Sequence, residues 1–305
     1  MGHKNKESLV KQVQTALESK LRIGESKHRA KMNGTASESI FSYTSFRTYL
    51  KHNAYFVRYC KEHYHCRTIE ECRAHVTAWM KTRERLSPYT QHLEASAIAK
   101  LYGCKTEDLG LSLPERNRDN ITRSRGEAVR DKHFSEKNNA DLIAFCQGAG
   151  PRRNELRYLT RDRLRFIDGK PYIHYAVGTK GGKERLAPIV RNVELIVRLM
   201  KEAGPNRVFP KIPSGADIHG YRRDYATAIY RDHARSLEEC KRSRFWNPEH
   251  FNGKGCPKGG YDRDSVYWMR GSHKGQWLDK AAMMAASQAL GHNRISVVGE
   301  HYIHA

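Results

Sequence analysis

The chain has 305 residues and a hydrophobic fraction of 38%, enough apolar surface to build real cores and to argue against disorder throughout. Lys and Arg number 55 against 33 Asp and Glu, a formal charge of +22. Self-repulsion of that size favours a polyanionic partner, nucleic acid first, and no apolar run approaches the roughly 20 residues of a membrane-spanning helix.

The first third reads as helices. Leu9, Val13, Ala16, Leu17 and Leu21 recur at helical spacing, as do Phe46, Leu50, Val57 and Cys60. Thr68-Ile-Glu-Glu71 is a capping box that starts a third helix through Trp79, and Ser87-Pro88 supplies an N-cap and a first-turn proline for a fourth, stopped at Gly103. Periodicity then fades into a polar, basic connector containing Pro114, Arg123 and Arg125. Ser135 can cap a helix carrying Leu142, Ile143 and Phe145, and another helix begins near Arg152. Leu164 to Ile167, Tyr172 to Val177 and Arg185 to Ile189, separated by glycine turns at Asp168-Gly169 and Gly178 to Gly182, read as a small antiparallel sheet. Helices resume from Val193 to the end. The expected class is therefore mainly α with a small antiparallel β-sheet: a helical domain over 1–113, a linker over 114–132 and an α+β domain over 133–305.

Seven cysteines without a regular framework read as reduced thiols. The stretch from Cys60 to Cys66 offers soft ligands but no CxxC knuckle and no second ligand pair, so no metal is expected. Met1 to Leu9 shows no signal-peptide pattern, which predicts a cytoplasmic protein.

Four separated segments carry groups suited to phosphate chemistry. Arg152-Arg-Asn-Glu155 opens a helix, where a permanently charged guanidinium and unpaired N–H groups can face one anion. Gly178-Thr-Lys180-Gly-Gly-Lys183-Glu-Arg185 is a hairpin turn whose lysine can reach a groove and, with its pKa lowered in a cationic site, donate a proton. His219 and Arg222 lie one turn apart on one helix, a titratable imidazole beside a second phosphate ligand. Leu290-Gly291-His292 precedes Tyr302, whose phenol, with an ordinary pKa near 10, needs a base or a cationic site to act as a nucleophile. Each segment alone has an ordinary explanation: a surface ion pair, a solvated turn, a polar helix face, a packing tyrosine.

Taken in order, the segments resemble the catalytic domain of the tyrosine recombinases, the integrases of phages and mobile elements. The likeness covers roughly Ser135 to Ala305: His219-Gly-Tyr-Arg222-Arg-Asp-Tyr-Ala-Thr227 resembles the family's HxLRHTFAT box, Leu290-Gly-His292 its LGH box, and Lys180-Gly-Gly-Lys-Glu-Arg its hairpin lysine motif. The resemblance places Arg152, Lys180, His219, Arg222, His292 and the nucleophile Tyr302 at the catalytic positions, with Lys183 a rival for the role of Lys180. It makes residues 1–113 the helical core-binding domain. It further implies a site-specific recombinase that cuts and rejoins double-stranded DNA through a 3′-phosphotyrosyl intermediate without a cofactor. Four copies would assemble on two duplexes in the bacterial nucleoid, with room for accessory DNA-bending proteins. Lys183, Arg185 and Arg223, basic neighbours of these boxes, and Arg123 and Arg125 of the connector are expected to contact DNA.

Two features depart from the family. His219 and His292 are separated by an insertion near 238–275, whose Phe245-Trp246, Tyr261 and Tyr267-Trp268 among basic residues either stack on bases or pack among themselves. Tyr302 also follows His292 by one residue more than the commonest spacing. Two rival readings stay open: a type IB topoisomerase, which shares the chemistry, and a DNA-binding regulator that keeps the fold without cutting.

Overall fold

A computed structural model describes residues 7–116, 134–179, 182–248, 259–270, 273–292 and 294–303. The chain divides into two units, Met1–Arg118 and Asp119–Ala305. It is mainly helical, with small antiparallel sheets.

The first unit is all-helical among its described residues. Ser8 accepts the Lys11 N–H and so caps α1 (Leu9–Glu18), which buries Leu9, Val13 and Leu17; α2 (Lys27–Met32) follows. Ser42 caps the 22-residue α3 (Tyr43–Tyr64), which ends on His65 in the left-handed region. The capping box at Thr68 and Glu71 forms, but the helix it starts is broken: α4 (Ile69–Cys72) tightens into a 3-10 turn over Arg73–His75 before α5 (Val76–Lys81). In that turn His75 stacks on Tyr64 with centroids 3.7 Å apart, while Cys72 and Val76 on either side face the core. Ser87, Pro88 and the left-handed Gly103 bound α6 (Pro88–Tyr102) as expected.

Phe56 and Val57 from α3 meet Ile98 and Leu101 from α6 in the core. One carboxylate is buried with them: Glu94, 1% exposed, accepts two hydrogen bonds from Arg83 at 2.8 and 2.9 Å and lies 3.3 Å from His52 Nδ1. Removing one partner of such a pair strands the other's charge. Glu94→Ala is expected to lower the unfolding free energy by about 3 kcal/mol, at the low end for buried pairs because Arg83 can rehydrate. Denaturant titration of the full chain checks this.

The second unit begins with Ser135, whose hydroxyl accepts the Asn138 N–H at 3.3 Å, ahead of α7 (Ala140–Ala149). Gly150 reverses the chain at φ +58°, where an added Cβ would lie 2.1 Å from the Tyr225 ring. The short α8 (Arg153–Leu156) follows. Strands β1 (Leu164–Ile167), β2 (Lys170–Tyr175) and β3 (Arg185–Pro188) form an antiparallel sheet in the order β1-β2-β3, with Leu164 opposite Ile173 and Ile173 opposite Ala187. Helices α9 (Val193–Ala203) and α10 (Ile218–His233) follow, the latter capped by Asp217. Arg153 donates to the carbonyls of Pro213 at 2.7 Å and Ala216 at 2.5 Å, tying α8 to the segment that enters α10.

After α11 (Leu237–Arg242) the chain departs from the all-helical ending expected beyond Val193. Strand β4 (Trp246–Asn247) pairs with β5 (Gly260–Tyr261), and β6 (Val266–Trp268) with β7 (Trp277–Asp279). Strands of two or three residues are too short to show an alternating pattern, so only their aromatic content hinted at them. Trp246 and Tyr261 face each other edge-on at 5.1 Å across β4 and β5, and both are exposed. Asp279 ends β7 and caps α12 (Lys280–Ala289) by accepting the Ala281 N–H, and Arg235 grips it with bonds of 2.7 and 2.8 Å. The last helix is α13 (Ile295–His301). Among the described residues no helix is long and apolar enough to cross a membrane.

Candidate active site

The second unit brings distant segments together at the carbonyl of Leu290. Arg152 lies just ahead of α8 in extended conformation, its backbone N–H donating to Glu155 Oε2 at 2.6 Å. Its guanidinium donates to Glu155 Oε1 at 2.8 Å and to Leu290 O at 3.1 Å. Arg222, fully buried on α10, donates from one terminal nitrogen to Gly150 O and from the other to the same Leu290 O. Two guanidiniums that are 70 positions apart in sequence thus converge on one main-chain dipole.

That convergence needs compensation, and Glu155 supplies it. Its carboxylate, 1% exposed, binds both Arg152 and Arg185. Burial opposes its ionisation, yet hydrogen bonds and charge from Arg185, the Arg152 N–H and the nearby Arg222 hold its carboxyl below the usual range. Burial, helped by the charges of Arg185 and Arg152, pulls the Arg222 guanidinium down to about 10, which leaves it charged at neutral pH.

The Leu-Gly-His segment is shaped by the end of α12. Gly291 turns the chain at φ +68°, where a Cβ would press to 2.8 Å from Arg185 Cδ. The His292 N–H donates to Ser287 O at 2.8 Å, and the Ser287 hydroxyl donates back to His292 O at 3.0 Å. The His292 ring sits 5.6 Å from that of Tyr302, tilted by 46°. Tyr302 lies at the exit of α13 rather than within it: its N–H donates to Val298 O at 2.9 Å, and its carbonyl accepts from Thr227 on α10 at 3.2 Å. Tyr302 is thus the C-cap of α13, one position beyond its last helical residue His301. Tyr302 is close enough to Arg222 for their charges to interact.

Of the six expected catalytic residues, Arg152, Arg222, His292 and Tyr302 share this site. His219 is exposed on the first turn of α10, three positions before Arg222. Lys180 lies outside the described residues, as do Arg123 and Arg125 with most of the 114–132 linker. Lys183 is exposed beyond the hairpin turn and Arg223 is half-buried on α10.

Arg185 corrects an expectation. Read as a DNA contact, it is instead buried, 7% exposed, with its guanidinium committed to Glu155, Gly150 O and Ala289 O. The signal was in the strand alternation: Arg185 shares a face with the buried Ala187, while Leu186 between them points out. Glu155 was discounted for a parallel reason, since an RxxE pair on a helix is ordinarily a surface pair. Among the described residues no group of three or more His, Cys, Asp or Glu side chains is placed to hold a metal. No family model, curated protein or solved structure matches the chain.

Two carboxylates buried among the described residues of this unit, Glu155 and Asp279, predict its acid behaviour. Burial disfavours the Asp279 carboxylate, but Arg235 and the Ala281 N–H outweigh it and hold its pKa below the ordinary value. Glu155 and Asp279 thus contribute stability that is full above the unfolded carboxyl range near 4 and is lost as pH falls through their lower folded values. Denaturant midpoints should drop from about pH 4 downward, and Arg235→Met should remove the Asp279 share of the slope. Equal midpoints at about pH 3 and about pH 6 would contradict this.

Proposed function

We propose that the chain is a tyrosine site-specific recombinase of the integrase kind, cutting and rejoining double-stranded DNA through Tyr302. The observation that carries this reading is the meeting of Arg152 and Arg222 on Leu290 O beside the ring pair of His292 and Tyr302. Two fixed cations with a phenol next to them form a centre for a phosphodiester, whose charge grows as a fifth oxygen approaches phosphorus.

In the reaction the Tyr302 oxygen forms a bond to the scissile phosphorus, and the bond to the 5′ oxygen breaks. A 3′-phosphotyrosyl enzyme and a 5′-hydroxyl result. A 5′-hydroxyl from a partner strand reverses the step, so phosphoester bonds are exchanged one for one and no energy source is needed. Arg152, Arg222 and His292 stabilise the pentacoordinate phosphate. His219 moves the proton at the Tyr302 oxygen, and Lys180 protonates the departing 5′ oxygen. Exchange between two duplexes implies four copies acting together.

Arg222 has no exposed surface, so DNA must uncover it before a phosphate can reach it. Cleavage on this reading is preceded by a rearrangement, and adduct formation should lag behind DNA binding in rapid-mixing experiments. The test of the reading is a pool of nicked duplexes with randomised sequence around the nick. Incubation with the full chain should give a denaturant-resistant, protease-sensitive protein–DNA adduct. Binding without any adduct would instead favour the non-cutting regulator. Binding should also weaken steeply with salt, as counterion release by a chain of +22 requires.

A further inference from the structure

We infer that Arg185 is a positioning residue that sets the two phosphate-binding arginines, locking the Arg152 segment to the Leu-Gly-His segment from beneath. The inference rests on the reading of the site as a phosphoryl-transfer centre. Its geometric basis is the use Arg185 makes of its planar fork. Nε donates to Ala289 O at 3.1 Å, one terminal nitrogen donates to Gly150 O at 3.2 Å and Glu155 Oε2 at 2.7 Å, and the other donates to Glu155 Oε1. The guanidinium carbon lies 4.2 Å from the centroid of the Tyr175 ring, whose hydroxyl donates to Ala149 O at 3.0 Å.

Arg185 and Arg222 therefore bridge the same two stretches of chain. Both donate to Gly150 O, and at the other end they take neighbouring carbonyls, Ala289 for Arg185 and Leu290 for Arg222. Arg152 then meets Leu290 O from the side. Moving Ala289 moves Leu290, and moving Glu155 moves Arg152, so Arg185 holds both supports of the phosphate-binding pair without facing the phosphate. A lysine has one point charge and could not satisfy a carboxylate and two carbonyls in one plane.

The charge balance supports the same role. Three guanidiniums, from Arg152, Arg185 and Arg222, face one carboxylate, Glu155, which leaves a net charge of two positive units. A phosphodiester brings one negative charge and develops a second as the fifth oxygen bonds to phosphorus. Each uncompensated guanidinium gains attraction as that second charge develops, which is the condition for catalysis by differential binding.

The experiment uses the full chain with Arg185→Gln and Arg185→Lys on the nicked duplexes that trap the wild type, following adduct formation in single turnover across pH. Arg185→Gln should bind DNA within about two-fold of wild type and cleave about 100-fold more slowly, the scale of losing preorganised charge stabilisation. Its rate should gain an acidic limb, rising with pH. Without Arg185 the buried Glu155 carboxylate loses its largest charge partner and keeps, among the described residues, Arg152 and Arg222 beside the phenol of Tyr175, so it takes up a proton more readily and releases Arg152. The double variant Arg185→Gln with Glu155→Gln should lack that limb, and Arg185→Lys should recover part of the rate but not the wild-type profile. A wild-type rate and profile in Arg185→Gln overturns the inference, as does a slow rate with an unchanged pH profile, which marks a merely structural residue. Should the wild type form no adduct, the reading of the site fails by itself. Arg185 is then judged by the Arg152 Nε–Hε NMR signal, which should shift in the milder Arg185→Lys and which, if unmoved, overturns the inference too.

Discussion

Tyr302→Phe should leave folding and DNA affinity unchanged and abolish the covalent adduct. The side chain sits at the exit of α13, and its anchors are main-chain groups, the N–H on Val298 and the carbonyl under Thr227. Deleting one phenolic oxygen therefore leaves the local backbone in place while removing the atom that would attack phosphorus. Tyr302 is the one tyrosine between His292 and Ala305, and the variant tests it against Tyr230 and Tyr267, which pack on the same core. The measurement is a denaturing gel of protein trapped on nicked duplex, paired with a melting curve and a binding isotherm. An adduct that persists in the phenylalanine variant reassigns the nucleophile, whereas a lowered melting temperature makes Tyr302 a structural residue first.

The largest loss of stability should come from Glu155→Ala. It removes the one carboxylate at a buried junction of three guanidiniums and leaves Arg185, with 4% of its side chain exposed, as an uncompensated interior charge. Breaking a buried pair in this way costs about 3–5 kcal/mol. Glu155→Gln keeps the shape and some hydrogen bonding and should lose less. A denaturant titration comparing the two separates charge from packing, and a loss under about 1 kcal/mol for alanine would mean the arginines find other partners, as surface pairs do. Because the site depends on the same junction, both variants should also slow cleavage by more than their change in stability implies.

Much of the architecture was legible because local chemistry and tertiary structure agree. Ser87-Pro88 and Gly103 bound a helix by satisfying its ends, and Asp168-Gly169 forces the turn between β1 and β2. Those signals act within a few residues. Where structure depends on longer-range contacts the pattern fails: among the described side chains of α2 Ala30 alone is buried, too little for periodicity, and the helix expected to run unbroken from Thr68 to Trp79 is interrupted where His75 finds Tyr64. The site shows the same division. Arg152, Arg222, His292 and Tyr302 stand out as an ordered set of chemical types, but nothing local says that two of them meet on the carbonyl of Leu290. Nor does a local rule put Arg185 inside, because charge argues for the surface and only the strand alternation argues otherwise.

The strand β7 runs into α12 without a loop, and Asp279 at the junction is clamped by Arg235. Ten residues of α-helix make a stiff rod of about 15 Å. Its near end is welded to the hairpin β6–β7, and its far end delivers Leu290 O to the arginine pair. The hairpin and the two guanidiniums are therefore the two ends of one element: a shift of β7 along the axis of α12 carries Leu290 O with it, and with it the point on which Arg152 and Arg222 meet.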